Sequence, residues 1–240
     1  MRQVLRVAGY RFRATFNRRW SGLLAVVVLV GLVGGLSLGA VAGARRSQSA
    51  FPGYLADTHA SDLQVAIIVK KSSAAANPYS PAVTNELAHL RHVRRVGSFV
   101  NTFASPLKAN GAPKFPAALN NNTVEQIGSV NGEYFDTDRV AVTQGRIANP
   151  ASVNEFVMTA QAAQLLGWHV GEVIPLGVFT NQQVNLKAFG TPAVQPTFRI
   201  SGRLVGIVVF NSQVVRDEVD QYPTLMLYTP AFTRHVLTIA

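Results

Sequence analysis

The sequence contains no cysteine, which excludes disulfide bridges and thiolate metal sites. Acidic residues are missing where basic residues are densest: residues 1–46 contain eight arginines and no aspartate or glutamate. The rest of the chain holds 14 basic residues against 12 acidic ones, so the formal charge of +10 belongs to the N-terminus. No basic stripe with interleaved aromatic residues occurs after residue 46, and we therefore predict no nucleic-acid partner. A P-loop, G-x-x-x-x-G-K-[ST], is also absent, so this chain has no phosphate-cradling loop for ATP.

Charged residues are absent from residues 21–44, in which Ser21 and Ser37 are the only strongly polar side chains. At about 1.5 Å of rise per residue, a helix of this length crosses the ~30 Å hydrocarbon core of a bilayer. A secretory signal peptide has a shorter apolar region, of about 7–15 residues. A small-residue cleavage site at Ala42–Ala44 is the alternative reading. The length favours a retained transmembrane helix.

Glycine recurs every four residues within this apolar segment, at Gly31, Gly35, Gly39 and Gly43. Residues four apart lie on one face of a helix, and small residues on such a face let a neighbouring membrane helix approach closely. The alternative is that glycine is simply frequent in membrane helices. Gly35–Gly39 also fits the G-x-S-x-G nucleophile elbow, which requires a strand, a sharp turn and a helix. Ser37 lies instead inside an apolar helical segment, so we predict a packing face and no catalytic site.

The first twenty residues predict an amphipathic helix on the inner membrane surface. Apolar residues such as Val4, Phe12 and Phe16 fall on one side at 100° per residue, and most arginines fall on the other. Six arginines precede the apolar segment and two follow it, which places the N-terminus in the cytoplasm and residues from about 47 onward outside it. Membrane lipid is therefore the expected partner of a membrane-surface set: Arg2, Arg6, Arg11, Arg13, Arg18, Arg19 and Trp20.

The remainder of the chain predicts a mixed α/β body, and the fold class is α+β. Compact β-branched or apolar runs indicate strands, and Pro or Gly at their flanks marks helix starts and turns. The predicted strands are 63–69, 96–103, 124–130, 155–159, 173–179, 198–210 and 224–228. The predicted helices are 81–93, 160–166 and a short one from Pro230, with Gly167 as a left-handed C-cap and a loop over 108–122.

Two groups of residues raise the question of a metal site. His89 and His92 lie three apart on the predicted helix, yet no set of carboxylates accompanies them, and a solvated helix face is the simpler explanation. Glu133, Asp136 and Asp138 cluster in GEYFDTD, but a calcium loop starting at Asp136 would need glycine where Ala141 stands. We predict a polar turn there. Neither a metal, a cofactor nor a catalytic residue is expected in this chain.

Three stretches resemble the FtsX/MacB-type ABC transporter permease family. These are YRFRATFNRRWSGLLAVVVLVGLVGGLSLGAVAGARRSQSAFPGYLA (residues 10–56), GRIANPASVNEFVMTAQAAQLLGWHVGEVIPL (145–176) and YPTLMLYTPAFTR (222–234). The second is similar to the family's G-R-x-x-x-P…E-F…A…G-x-x-V-G-x-x-I segment. The resemblance implies a MacB-like periplasmic core domain in a permease subunit. Such a subunit works with a separate ABC ATPase and with other permease helices or a second copy.

The predicted domain organisation has four parts. They are a cytoplasmic amphipathic basic helix over 1–20, a transmembrane helix over 21–44, a juxtamembrane connection over 45–61 and an extracytoplasmic core domain over 62–240. Family members carry at least three further membrane helices after the extracytoplasmic domain, and no second apolar span occurs here. We therefore expect the sequence to be a truncated permease. The alternative function is a membrane-anchored binding or interaction domain without transport activity.

Overall fold

A computed structural model describes residues 2–65, 79–214 and 224–239. The chain divides into two compact units, Met1–Tyr54 and Leu55–Ala240, and we call the second unit the body. The chain is a mixed α+β protein, with one long apolar helix at its N-terminus and a curled sheet in the body.

The N-terminal helix, α1, runs from Arg2 to Thr58 without interruption. It includes the segments predicted separately as a basic helix (1–20), a transmembrane helix (21–44) and most of a connection (45–61). Helix formation requires only local i to i−4 hydrogen bonds, and no proline interrupts the pattern before Pro52. The part from Trp20 to Thr58 is long and apolar enough to cross a membrane, with a mean hydropathy of 2.5 in its most apolar stretch. A signal sequence would meet the same criteria of length and composition.

The body contains six helices and eight strands within the described residues. The helices are α2 (Pro81–Ala88), α3 (Ala117–Asn120), α4 (Ala160–Leu166), α5 (Asn181–Val184), α6 (Asn211–Val214) and α7 (Pro230–Ile239). The strands are β1 (Phe99–Asn101), β2 (Phe103–Pro106), β3 (Glu125–Ser129), β4 (Ala141–Gly145), β5 (Glu155–Met158), β6 (Val173–Phe179), β7 (Phe198–Val209) and β8 (Leu225–Tyr228).

All eight strands belong to one sheet, in the order β1-β3-β8-β5-β7-β6-β2, with β4 added alongside β7. β3 with β8 and β5 with β7 are parallel pairs, and the other pairs are antiparallel. The two end strands, β1 and β2, are separated only by Thr102. One short stretch of chain therefore joins both ends of the sheet, which explains its curl.

The core lies on both faces of this sheet. In β5, Phe156 and Met158 belong to one apolar cluster and Val157 to the other, as the alternation of side chains along a strand requires. β8 alternates in the same way, with Met226 and Tyr228 opposite Leu225 and Leu227. Strands that are buried on both faces read as continuous apolar runs, which is why EFVM and LMLY lack polar alternation. The ring of Tyr228 stacks on Phe232 of α7 at a centroid distance of 4.2 Å.

Several predicted elements are confirmed. The helix over 160–166 and the strand over 173–179 have the predicted bounds, and the strands predicted at 124–130, 155–159, 198–210 and 224–228 are each shorter by one or two residues. Gly167 adopts the left-handed conformation (φ 70°) predicted for a C-cap. The N-cap of α4 is Thr159, whose hydroxyl accepts a hydrogen bond from the Ala162 amide.

Other predictions were wrong in their bounds or missed an element. The helix predicted over 81–93 ends at Ala88, and the loop predicted over 108–122 contains α3. The strand predicted at 96–103 begins at Phe99, and the extended chain continues as β2 to Pro106. β4 was not predicted, because its sequence AVTQG offers little apolar alternation. Of the strand predicted at 63–69, residues 63–65 are not in a strand, and residues 66–69 lie outside the described residues.

Candidate functional site

The four glycines predicted as a packing face all lie in α1. They are exposed, and a Cβ atom added at Gly31, Gly35, Gly39 or Gly43 would meet nothing within 4 Å. The face is therefore smooth and open in the single chain. Its role in packing against another helix stays a prediction.

Ser37 lies within the same helix and is bound to its own backbone. Its hydroxyl donates a hydrogen bond to the Val33 carbonyl oxygen at 2.8 Å. Serine in a helix commonly makes this bond to the carbonyl four residues earlier. A nucleophile elbow needs a strained turn between a strand and a helix, and Ser37 has helical neighbours on both sides. The surroundings of Ser37 thus give no support to the hydrolase interpretation.

The membrane-surface set also falls within α1. Trp20 is 54% exposed and marks the start of the apolar span. The backbone of each arginine of the set lies in the helix: Arg2, Arg6, Arg11, Arg13, Arg18 and Arg19. Their side chains lie outside the part of the chain that the structure describes. The predicted contact of this set with lipid headgroups stays a prediction.

His89 and His92 do not share a helix face, because α2 ends at Ala88 and His89 is its C-cap. The Nδ1–H of His89 donates to the Asn85 carbonyl oxygen at 2.7 Å. His92 has a left-handed backbone (φ 74°), and its Nε2 accepts from Arg91 Nε at 3.0 Å. The prediction that both histidines lie on one helix, which raised the possibility of a metal pair, is therefore wrong. Among the described residues, no group of three or more metal-ligating side chains lies together.

Arg146 and Glu155 of the body form a bidentate ion pair. Arg146 Nη1 and Nη2 donate to the two carboxylate oxygens of Glu155 at 2.8 and 2.6 Å, and the Asn149 amide donates to the same carboxylate at 2.9 Å. The hydrogen bonds from Arg146 are the main reason that the pKa of Glu155 is lowered to about 2. This fork fixes the loop 146–154 between β4 and β5.

The Arg146–Glu155 contact gives a physical reading of the G-R-x-x-x-P…E-F pattern quoted above. Gly145 has φ 70°, and a Cβ atom there would collide with the Val205 carbonyl oxygen. The Pro150 carbonyl accepts from the Ala231 amide at 3.0 Å, and Phe156 is fully buried. The pattern therefore describes one region of the body, which contains a glycine with positive φ, an ion pair and a core phenylalanine. Sequence reasoning quoted these residues but did not predict the ion pair.

The acidic segment GEYFDTD forms a loop, residues 131–139, which we call the acidic loop. It is closed by hydrogen bonds from the Asp136 amide to the Gly132 carbonyl and from the Tyr134 amide to the Thr137 carbonyl, both 2.7 Å. Tyr134 and Asp138 have positive φ angles of 67° and 48°. A calcium loop starting at Asp136 would have to continue through Ala141, which is already the first residue of β4. The backbone therefore argues against a calcium loop and supports a polar turn.

Glu133 is the buried member of the acidic loop, at 7% exposure. Burial raises its pKa to about 8, with further contributions from the charge of Asp138 and a hydrogen bond to it. Sequence reasoning placed Glu133 and Asp138 in one cluster but did not foresee that one of them is buried. The signal was present in the apolar residues Tyr134 and Phe135, which anchor the loop to the core.

Comparison with known proteins adds no family to these observations. No protein-family model matches the chain. No curated protein sequence matches it either. The functional assignment therefore depends on the residues and contacts described above.

Proposed function

We propose that this chain is the membrane component of an ABC transporter complex, a permease subunit of FtsX/MacB type that is not catalytic itself. Its N-terminus is cytoplasmic, α1 spans the membrane, and the body is an extracytoplasmic, MacB-like core domain. The body couples to substrate or to partner proteins. The proposal is supported by the resemblance of three stretches that together cover much of the chain.

The observation that carries the membrane part of the proposal is the exposure of α1. Many apolar side chains of α1 are more than half exposed in the isolated chain, among them Leu29, Leu36 and Leu38. Contiguous apolar surface of this kind requires an apolar environment or a partner. Arginine is concentrated before the apolar segment, which supports the orientation with the N-terminus inside.

The partners follow from what this chain lacks. Transport requires ATP hydrolysis, and without a P-loop the chain depends on a separate ABC ATPase subunit. The glycine face of α1 supports packing with other permease helices or with a second copy. Membrane lipid is the remaining partner.

A membrane-anchored extracytoplasmic binding or interaction domain, without transport activity, is the second candidate. The observation that favours it is that the described residues contain one candidate membrane span. A single anchoring helix is sufficient to hold a binding domain at a membrane.

Orientation is tested first, and the absence of cysteine makes the test clean. Single cysteines are introduced as Gln3→Cys in α1 and as Asp62→Cys in the exposed start of the body. In intact cells a membrane-impermeant maleimide is expected to label Asp62→Cys, and Gln3→Cys only after permeabilisation. The cysteine-free parent is the control. The reverse labelling would contradict the proposed topology, and loss of residues 1–44 from the labelled product would indicate a cleaved signal sequence.

The two candidate functions are separated by the ATPase. The chain is co-expressed with each ABC ATPase that its neighbouring genes encode and is purified in a mild detergent. A permease component is expected to co-purify with that ATPase, and the purified chain alone is expected to show no ATP turnover. Co-purification should persist when Glu155→Gln is introduced in the body, since ATPase docking is expected inside the cell. Absence of any ATPase complex would favour the binding-domain candidate.

A further inference from the structure

The strand β2 has different neighbours on its two edges. On one edge it pairs with β6, where Phe103 faces Phe179. On the other edge it faces β3, but among the described strands β2 and β3 form no backbone ladder. The Thr102 amide donates to the Gln126 carbonyl oxygen at 2.8 Å, directly before β2 begins. Beyond Thr102, main-chain bonds alone would leave the sheet open along this boundary, which we call the seam.

The side chain of Gln126 bridges the seam. Its Oε1 accepts from the Ala104 amide at 3.0 Å, and its Nε2 donates to the Ala104 carbonyl oxygen at 3.0 Å. A side-chain amide carries the same donor and acceptor as a peptide group. The orientation of this amide follows from its partners, because an N–H must face an oxygen and a C=O must face an N–H. Gln126 thus gives Ala104 both bonds that a neighbouring strand would provide.

A third hydrogen bond holds the amide of Gln126 in place. The Tyr228 hydroxyl of β8 donates to Gln126 Oε1 at 3.1 Å, and the tyrosine ring is fixed by its stacking on Phe232. Ala104, Gln126 and Tyr228 are all buried. Buried polar groups that lose their partners cost free energy, so an apolar side chain at position 126 would leave Ala104 and Tyr228 unsatisfied.

The rest of this edge of β2 is satisfied by the loop that follows it. Pro106 has no amide hydrogen, and its carbonyl oxygen accepts from the Lys114 amide at 2.8 Å. The Ser105 hydroxyl accepts from the Phe115 amide at 3.0 Å. Among the described residues, Gln126 is therefore the one side chain of β3 that hydrogen-bonds to β2.

Aromatic rings shield the Ala104–Gln126 contact from water. The rings of Phe115 and Phe179 lie 5.5 and 5.4 Å from that of Phe189, measured between centroids. Hydrogen bonds in such apolar surroundings are stronger than in water, and an unpaired polar group there costs more. Four phenylalanines line the space beside the contact: Phe103, Phe115, Phe179 and Phe189.

We propose that the Gln126 side chain is a clasp that closes the curled sheet along the seam. With the clasp in place, the chain through Thr102 is held to β3 on one side and to β6 on the other. With the clasp released, β2 separates from β3, and the Thr102 bond to β3 opens with it. The clasp is a property of the body alone, so it stands or fails independently of the proposed transport function.

Residue-resolved amide hydrogen exchange of the full chain in lipid nanodiscs tests the clasp. In Gln126→Leu, protection of the Ala104 amide should fall by about tenfold or more, because its acceptor is gone. Protection of the Thr102 amide should fall with it, although its own acceptor, the main-chain carbonyl of residue 126, is unchanged. Amides of the β6–β7 pair should lose less protection. The Thr102 amide thus distinguishes a clasp from a single local bond.

Ser105→Ala is the matched control in the same strand. It removes the acceptor of the Phe115 amide, so protection should fall at Phe115 and stay unchanged at Thr102 and Ala104. A loss in Gln126→Leu that is confined to Ala104 would contradict the clasp. An equal loss throughout the β6–β7 pair would also contradict it, since the variant would then weaken the whole body.

Gln126→Glu keeps the test decisive if Gln126→Leu does not fold. A protonated carboxyl group can still donate to the Ala104 carbonyl oxygen, whereas an ionised one only accepts. Protection of the Thr102 and Ala104 amides in Gln126→Glu should therefore fall as the pH rises from about 5 to about 8, after correction for intrinsic exchange. The wild type should show no such step at these two amides. A Gln126→Glu variant without the step would overturn the proposal.

Discussion

The apolar side chains of the membrane-length part of α1 are exposed, whereas the body buries an apolar core on both faces of its sheet. Leu29 of α1 is 65% exposed, whereas Leu204 of β7 has no exposed surface. Burial of a leucine in the protein contributes about 1.5–3 kcal/mol to folding, a contribution that α1 does not obtain from this chain. The helix can therefore form from local hydrogen bonds, but its apolar surface requires lipid or a partner. The body supplies its own apolar environment on both faces of the sheet.

Charge in the middle of α1 should have the largest effect and should leave the body intact. Leu32→Arg with Leu36→Arg places two guanidinium groups at mid-span, at a cost of about 2.5–3.5 kcal/mol each. We expect the protein to leave the carbonate-resistant membrane fraction while its body remains resistant to protease. The double variant Leu32→Ile, Leu36→Ile should remain in the membrane. Unchanged membrane retention of the arginine variant would contradict the conclusion that the apolar surface of α1 lies in lipid.

Truncation of a core side chain should do the opposite, destabilising the body and leaving membrane insertion unchanged. Phe156 is fully buried, and Phe156→Ala should lower the free energy of unfolding of the body by about 3–5 kcal/mol. Urea unfolding followed by the fluorescence of Trp168, which packs on Phe156, measures this change. Leu29→Ala in α1 is the matched control and should not shift the transition. Equal shifts for the two variants would mean that the regions do not differ as described.

Filling the glycine face should weaken helix association without weakening insertion. Gly35→Leu with Gly39→Leu blocks close approach, and lost contacts of about 0.6–2 kcal/mol can reduce association by tenfold or more. An in-membrane association assay on residues 18–46 measures the effect. Ser37→Ala should change little, because its hydroxyl already bonds to the Val33 carbonyl. Unchanged association of the double variant would mean that the glycine face does not pack against a helix and reflects only the high frequency of glycine in membrane helices.

The smallest effect is expected at the Arg146–Glu155 ion pair of the body, in which the arginine is exposed and the glutamate half-buried. The pKa of Glu155 is lowered to about 2 from its ordinary value of 4.5. The contribution of the ionised carboxylate to the free energy of unfolding is therefore present above about pH 4.5 and is lost as the pH falls towards 2. The stability difference between wild type and Glu155→Gln should therefore be constant from pH 5 to pH 7 and should shrink below pH 4.5. Urea midpoints at pH 7, 5 and 3 provide the test. A difference that grows in acid would show that Arg146 does not stabilise the ionised carboxylate.

Sequence patterns predicted the elements whose signals are local. Ala160–Leu166 has a threonine N-cap and a glycine C-cap, and both bounds were predicted correctly. Strands such as Val173–Phe179 were recognised from compact apolar runs. The end of α2 was predicted wrongly because residues 89–93 continue the helical spacing, whereas the helix ends at Ala88 with His89 as its C-cap.

The candidate sites divide in the same way. The apolar length of α1, its glycine spacing and the concentration of arginine at the N-terminus are fixed by the sequence alone, since each depends on neighbours within a few residues. The strand order that puts β1 and β2 at opposite ends of the sheet, the Arg146–Glu155 fork and the burial of Glu133 beside Gly97 were decided by the tertiary structure. Burial and ion pairing depend on which segments the fold brings together: burial raises the pKa of Glu133, and the hydrogen bonds from Arg146 lower the pKa of Glu155.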